Sequence, residues 1–109
     1  MFPDAHSAGA GDTGGVDARF YLDPGTGEPH LYRHGVSEEE AEDVLARPLE
    51  DRPGRDGARV ALGQTRAGRY LRVVYVPDPA AAGSVFVITA FDLGPTALKA
   101  LRRRRKRKP

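Results

Sequence analysis

Residues 85–91 read Val-Phe-Val-Ile-Thr-Ala-Phe, and the reading of this run decides the fold. Nearly every position is apolar, and most are β-branched or aromatic, which is the composition of a strand. A run with no polar alternation reads as a strand covered on both faces, and therefore one inside a sheet. Residues 77–84 form a loop before it, and Gly94-Pro95-Thr96 breaks the chain after it.

Working upstream, two more strand patterns precede this run. Residues 58–65 alternate, with Val60 and Leu62 on one face. Residues 69–76 (RYLRVVYV) alternate at first and turn apolar toward their end. Arg66-Ala67-Gly68 joins them as a short hairpin loop, with Gly68 able to take a positive φ. Residues 49–57 (LEDRPGRDG) read as a polar loop, because Pro-Gly and Asp-Gly break it.

A helix opens at Ser37. In Ser37-Glu38-Glu39-Glu40 the Ser oxygen can accept from the Glu40 N–H while the Glu40 side chain reaches back to the Ser37 N–H. The acids at 38, 39, 40, 42 and 43 complement the positive end of the helix dipole. Ala41, Val44 and Leu45 give the buried stripe, and Val36 with Ala41 gives a weak hydrophobic staple. Pro48 ends the helix by disfavouring helical geometry at Arg47. Further upstream, residues 18–23 (ARFYLD) read as a strand and residues 23–27 (DPGTG) as a turn. Pro29 is placed to open a short helical turn over 29–34. At the other end Ala97, Leu98 and Leu101 mark an amphipathic helix running into residues 102–108. The order strand, helical segment, three strands, helix predicts an α+β domain with a small antiparallel sheet of about four strands. Residues 1–17, rich in Gly, Ala and Asp, read as a disordered extension, 18–101 as the folded domain and 102–109 as a basic tail.

The chain of 109 residues suits one domain with one modest core. It has no cysteine, which excludes disulfides and thiolate metal sites and fits a reducing, cytoplasmic setting. No apolar run is long enough to span a membrane, and the first residues lack the pattern of a secretory signal. The net charge of +2 hides an asymmetry. Residues 1–56 carry 13 acids against 5 Arg, a net of −8, whereas residues 57–109 carry 12 Lys and Arg against 2 Asp, a net of +10. Either the basic half attracts phosphate, or the acidic helix lies against the basic tail and neutralises it.

Arg33-His34-Gly35-Val36-Ser37, followed by Glu38-Glu39-Glu40-Ala41, is similar to the K-H-G-V-S-F-x-E-A stretch of BrnT-type toxins. Ala61-Leu62-Gly63-Gln64-Thr65 and residues 68–75 (GRYLRVVY) resemble that family's I-G-x-T and G-R-x-L-x-V-V-Y strands. Val87-Ile88-Thr89-Ala90 falls where the family has I-I-S-A-R, and an uncharacterised sister group is about as similar. The resemblance covers residues 20–101. It implies a RelE/ParE-like fold with helices on one face of the sheet. It also implies a cofactor-free ribonuclease activity and a partner antitoxin. The departures are at the chemistry. Phe91 stands at the Arg that closes I-I-S-A-R, Phe86 at an earlier Arg of that strand, and His30 at the Asn before K-H-G.

Metal-free RNA cleavage needs a base for the 2′-OH, a cation for the phosphorane and an acid for the leaving oxygen. His34 has the pKa range for acid or base, and Arg33, Arg69 or Arg72 the planar donor fork for the charge. The plainer alternatives are a His34 that bonds backbone and an Arg69 that is a solvated strand start. His30 and His34 stand i, i+4 with no third ligand at a fixed spacing, so no metal site is expected. The tail Arg102, Arg103, Arg104, Arg105, Lys106, Arg107 and Lys108 would gather phosphates without reading bases, since it holds no aromatic. Three functions therefore stay open: a ribonuclease toxin, a non-catalytic module that binds RNA or protein on the same fold, and a regulator of unknown partner.

Overall fold

A computed structural model describes residues 17–107. Most of the expected N-terminal extension, and Lys108 in the tail, lie outside the described residues. The class is α+β. Strands β1 (Asp17–Phe20), β2 (Glu50–Pro53), β3 (Arg59–Gln64), β4 (Tyr70–Pro77) and β5 (Ser84–Asp92) form one sheet in the order β1-β5-β4-β3-β2. A 3₁₀ helix (His30–His34), α1 (Glu38–Ala46) and α2 (Pro95–Arg107) complete the elements. Among the described residues no helix is long and apolar enough to cross a membrane.

The sheet departs from the sequence expectation in three ways. It has five strands, because residues 50–53 pair with β3 instead of looping. Nothing in Glu-Asp-Arg-Pro favours a strand, so tertiary pairing overrides propensity there. Its side chains are fixed from outside: Asp51 accepts from Arg59 Nε at 2.9 Å and from the Tyr75 hydroxyl. Burial, reinforced by Asp51, pushes the Tyr75 pKa up to about 12. Second, the sheet is mixed. β1 pairs parallel to β5, with Asp17 already in the ladder opposite Ser84, so the expected extension ends one residue earlier than read. The long connection through the 3₁₀ helix and α1 leaves β1 free to run either way. Third, the helices cover opposite faces. Leu31, Val36, Ala41 and Val44 pack with Ala61, Leu71 and Val73, whereas Leu98 and Leu101 of α2 pack with Val60, Leu62 and Tyr70. Alternation along β3 and β4 puts these two sets on different sides.

The deciding run does lie inside the sheet, between β1 and β4, but it is not sealed on both faces. Val74 pairs with Thr89 and Tyr75 with Val87, so Ile88 is an extra residue, a β-bulge. Val85 and Val87 face the α1 side before the bulge, and Ala90 and Asp92 face it after. The missing polar alternation thus reflects a shift of phase. On the other face Phe86 remains 41% exposed.

Local expectations hold around α1. Ser37 Oγ accepts from Glu40 N at 3.1 Å, and Glu40 Oε1 accepts from Ser37 N at 3.0 Å. The helix stops at Ala46, one residue before the Arg47 that precedes Pro48. α1 can lie close to β3 because residue 63 is glycine: a Cβ there would stand 3.1 Å from Val44 Cγ1. Gly68 takes the positive φ that the β3–β4 hairpin needs, at 99°. Ser37→Ala should lower the unfolding free energy by about 1 kcal/mol. Urea denaturation followed by circular dichroism reads this as a lower midpoint with an unchanged slope.

Candidate functional site

The structure distributes the sequence candidates over three places. The first is built around Arg69, which follows the hairpin Gly68 at the mouth of β4. Its guanidinium grips Asp92 in a two-pronged contact, Nε to Oδ1 at 2.7 Å and Nη2 to Oδ2 at 3.1 Å. Its Nη1 donates to Gly35 O at 2.8 Å and to Glu40 Oε1 at 2.9 Å. One cation thus ties the end of β5, the exit of the 3₁₀ helix and the first turn of α1 to β4. Paired planar donors of this kind are the strong form of ion pair. The Ser37 backbone N–H, reinforced by Arg69, holds the Glu40 carboxyl below its usual range. Arg69 does the same to Asp92, and Asp92 in turn raises the Arg69 pKa. Two carboxylates therefore face the charge that phosphorane stabilisation would require, and the geometry gives Arg69 to the architecture.

The second place is an aromatic ladder beside β5. Tyr21 and His30 have ring centroids 6.1 Å apart, His30 and His34 5.5 Å, and His34 and Phe91 5.6 Å. The Arg72 guanidinium lies 5.9 Å from the Phe91 centroid, from the neighbouring strand. His34 and Arg72 therefore border one ring, where the resemblance would place an Arg. Arg33 turns away from this ring and pairs with Asp23, whose Oδ2 also stands 3.6 Å from His30 Nδ1. Among the described residues no three His, Cys, Asp or Glu come together as metal ligands.

The third place is α2. The expected boundary at residue 102 is not a structural one, because α2 runs unbroken from Pro95 to Arg107. Its inner side is fixed by Leu101 and by Arg104, which makes two 2.8 Å bonds to the Glu50 carboxylate; Arg105 donates to Leu49 O at 3.0 Å. Its outer side carries Lys99, Arg102, Arg103 and Lys106, spaced i, i+3, i+4 and i+7, so they form one stripe. Between this stripe and the sheet lies a groove of about 710 Å³ whose floor includes Leu49, Gln64, Tyr70 and Leu101. The Arg102 guanidinium carbon lies over the Tyr70 ring, 5.6 Å from its centroid.

The acidic helix does not neutralise this stripe. α1 lies on the other face, and two of its five acids pair with the β3–β4 hairpin instead: Glu40 with Arg69, and Asp43 with Arg66 at 3.1 Å. Among the described residues, no carboxylate forms an ion pair with Lys99, Arg102, Arg103 or Lys106. Sequence reasoning missed Lys99, although its helical spacing from Arg102 and Lys106 was available. It also missed Tyr70 and Gln64, whose place in the groove depends on strand register.

The Arg69 clasp generates a pH dependence. Glu40 and Asp92 have folded pKa values below their unfolded ones, so their stabilisation is fully present above the unfolded range and is lost as pH falls through the folded values. Unfolding midpoints in urea should therefore fall between about pH 5 and pH 2, and fall less steeply in Arg69→Met. Equal slopes for the two proteins would show that the clasp contributes nothing. The chain matches no protein-family model, no curated protein and no solved structure.

Proposed function

We propose that this protein is a non-catalytic RNA-binding module that grips phosphates with the outer stripe of α2. The observation that carries the reading is the row Lys99, Arg102, Arg103 and Lys106 along one helix face, which no carboxylate among the described residues pairs. Seven residues of helix span about 10.5 Å, enough for successive phosphates of one strand. The resemblance to BrnT-type proteins supplies RNA as the ligand class, and the engagement of Arg69 by Asp92 and Glu40 weighs against a cleaving role. Four phosphate contacts on single-stranded RNA give a slope of log K against log salt of about −3. Fluorescence anisotropy across a salt series should find that slope, and Arg103→Ala with Lys106→Ala should roughly halve it. A slope unaltered by the double substitution would remove the stripe from the interface.

A second reading has its own observation. His34 and Arg72 border the Phe91 ring, which brings an acid–base group near a cation. In that reading the protein is a cofactor-free ribonuclease toxin held by an antitoxin, and His34→Ala lowers cleavage of labelled RNA by roughly a hundredfold. RNA left intact by the purified protein after prolonged incubation removes it.

A further inference from the structure

The groove behind the α2 stripe has a property that the stripe alone does not. A bare row of cations is blind to the bases and holds duplex and single strand alike. Here the row borders a cleft whose floor includes the half-buried Leu49 and whose wall holds a cation–π pair, Arg102 over Tyr70. The cleft, about 710 Å³, falls in the range of roughly 300–1,000 Å³ that encloses small organic ligands, so it has room for a base with its sugar.

We infer that this groove selects unpaired nucleotides, with a base laid on the Arg102 guanidinium while Tyr70 backs that guanidinium from the other side. The inference rests on the proposed phosphate-binding role of the stripe and deepens it. The physical argument is one of access. A duplex offers its phosphates to the rim but keeps its base faces stacked on one another, away from the floor. A single strand can turn a base outward, and a guanidinium plane is a stacking partner for it. Cation–π contact with Tyr70 restrains the Arg102 head group before the base arrives. The other three cations, Lys99, Arg103 and Lys106, remain on the rim for the adjoining phosphates. Contact of a base with the half-buried Leu49 then adds apolar burial that neither a duplex nor a simple polyanion can supply.

The test uses the full chain and three probes: an unstructured RNA of about a dozen nucleotides, the same RNA annealed to its complement, and heparin as a polyanion without bases. Anisotropy and competition should show the single strand binding roughly tenfold more tightly than the duplex. Arg102→Lys keeps the charge and removes the plane; it should bring the affinities for single strand and duplex together. Tyr70→Leu keeps apolar volume on the floor and should have the same effect, and Arg102→Lys carries the test alone should that variant fold poorly. Equal binding of single strand, duplex and heparin by the parent protein overturns the inference and leaves the phosphate-binding role standing. A preference for the single strand that survives Arg102→Lys also overturns it. Retention of no nucleic acid, whether or not an acidic helical peptide binds in its place, overturns the inference and the proposed function together.

Discussion

One extra residue in β5 sets the phase of everything after it. Because Ile88 is accommodated as a bulge, Asp92 projects to the same side of the sheet as α1, and Phe91 projects to the other. Without the shift Asp92 would point away from Glu40, and no side chain in β4 could bridge the two. The Arg69 clasp exists only in this phase. Through it the ends of β4 and β5, the 3₁₀ exit and the first turn of α1 are joined by one guanidinium. The same phase leaves Phe91 on the α2 side, next to Arg72 and His34.

The two faces of the sheet consequently differ in kind. One is closed by α1 and the 3₁₀ helix over a continuous apolar core, with Glu40 and Asp43 answered by Arg69 and Arg66 of the hairpin. The other is covered at one side only, by a helix that rests on a smaller apolar cluster and on the Arg104–Glu50 pair. The charge asymmetry of the chain thus becomes an asymmetry of space. On the α1 face Glu40 and Asp43 are engaged by the hairpin arginines, whereas Lys99, Arg102, Arg103 and Lys106 stand exposed along α2.

The legible parts of the fold were those fixed by local chemistry. The capping box at Ser37, the stop before Pro48 and the Gly68 hairpin each depend on neighbours within a few residues, and each stands as the sequence reads. The illegible parts depend on partners far along the chain. β2 is a strand only because β3 and Asp51's contacts with Arg59 and Tyr75 hold it there, and its own residues resist the assignment. The bulge could not be told from two-sided burial, since both produce an apolar run without alternation. The parallel course of β1 carries no local signature at all. At the candidate sites the tail charges were plain, but their organisation was not. Tyr70 enters the groove through its pairing with Gln64 across the hairpin, and Arg69 is withdrawn from chemistry by two acids 29 and 23 residues away in the chain.

The strands at the margins of the sheet have a bearing on how the chain avoids harm to itself. Residues 85–91, with no proline, no glycine and no charge, have the composition of a fibril-forming segment. β4 screens one side of it, and on the other β1 pairs with its first half through just four residues. At the far margin β2 carries Glu50, Asp51, Arg52 and Pro53, a row that discourages any further strand from adding on. The guard is therefore strong where the sheet needs it least and thin beside the most adhesive sequence. Fraying of β1 would bare a template for cross-β stacking while the rest of the fold is still intact, so one of the shortest described strands guards the most adhesive sequence.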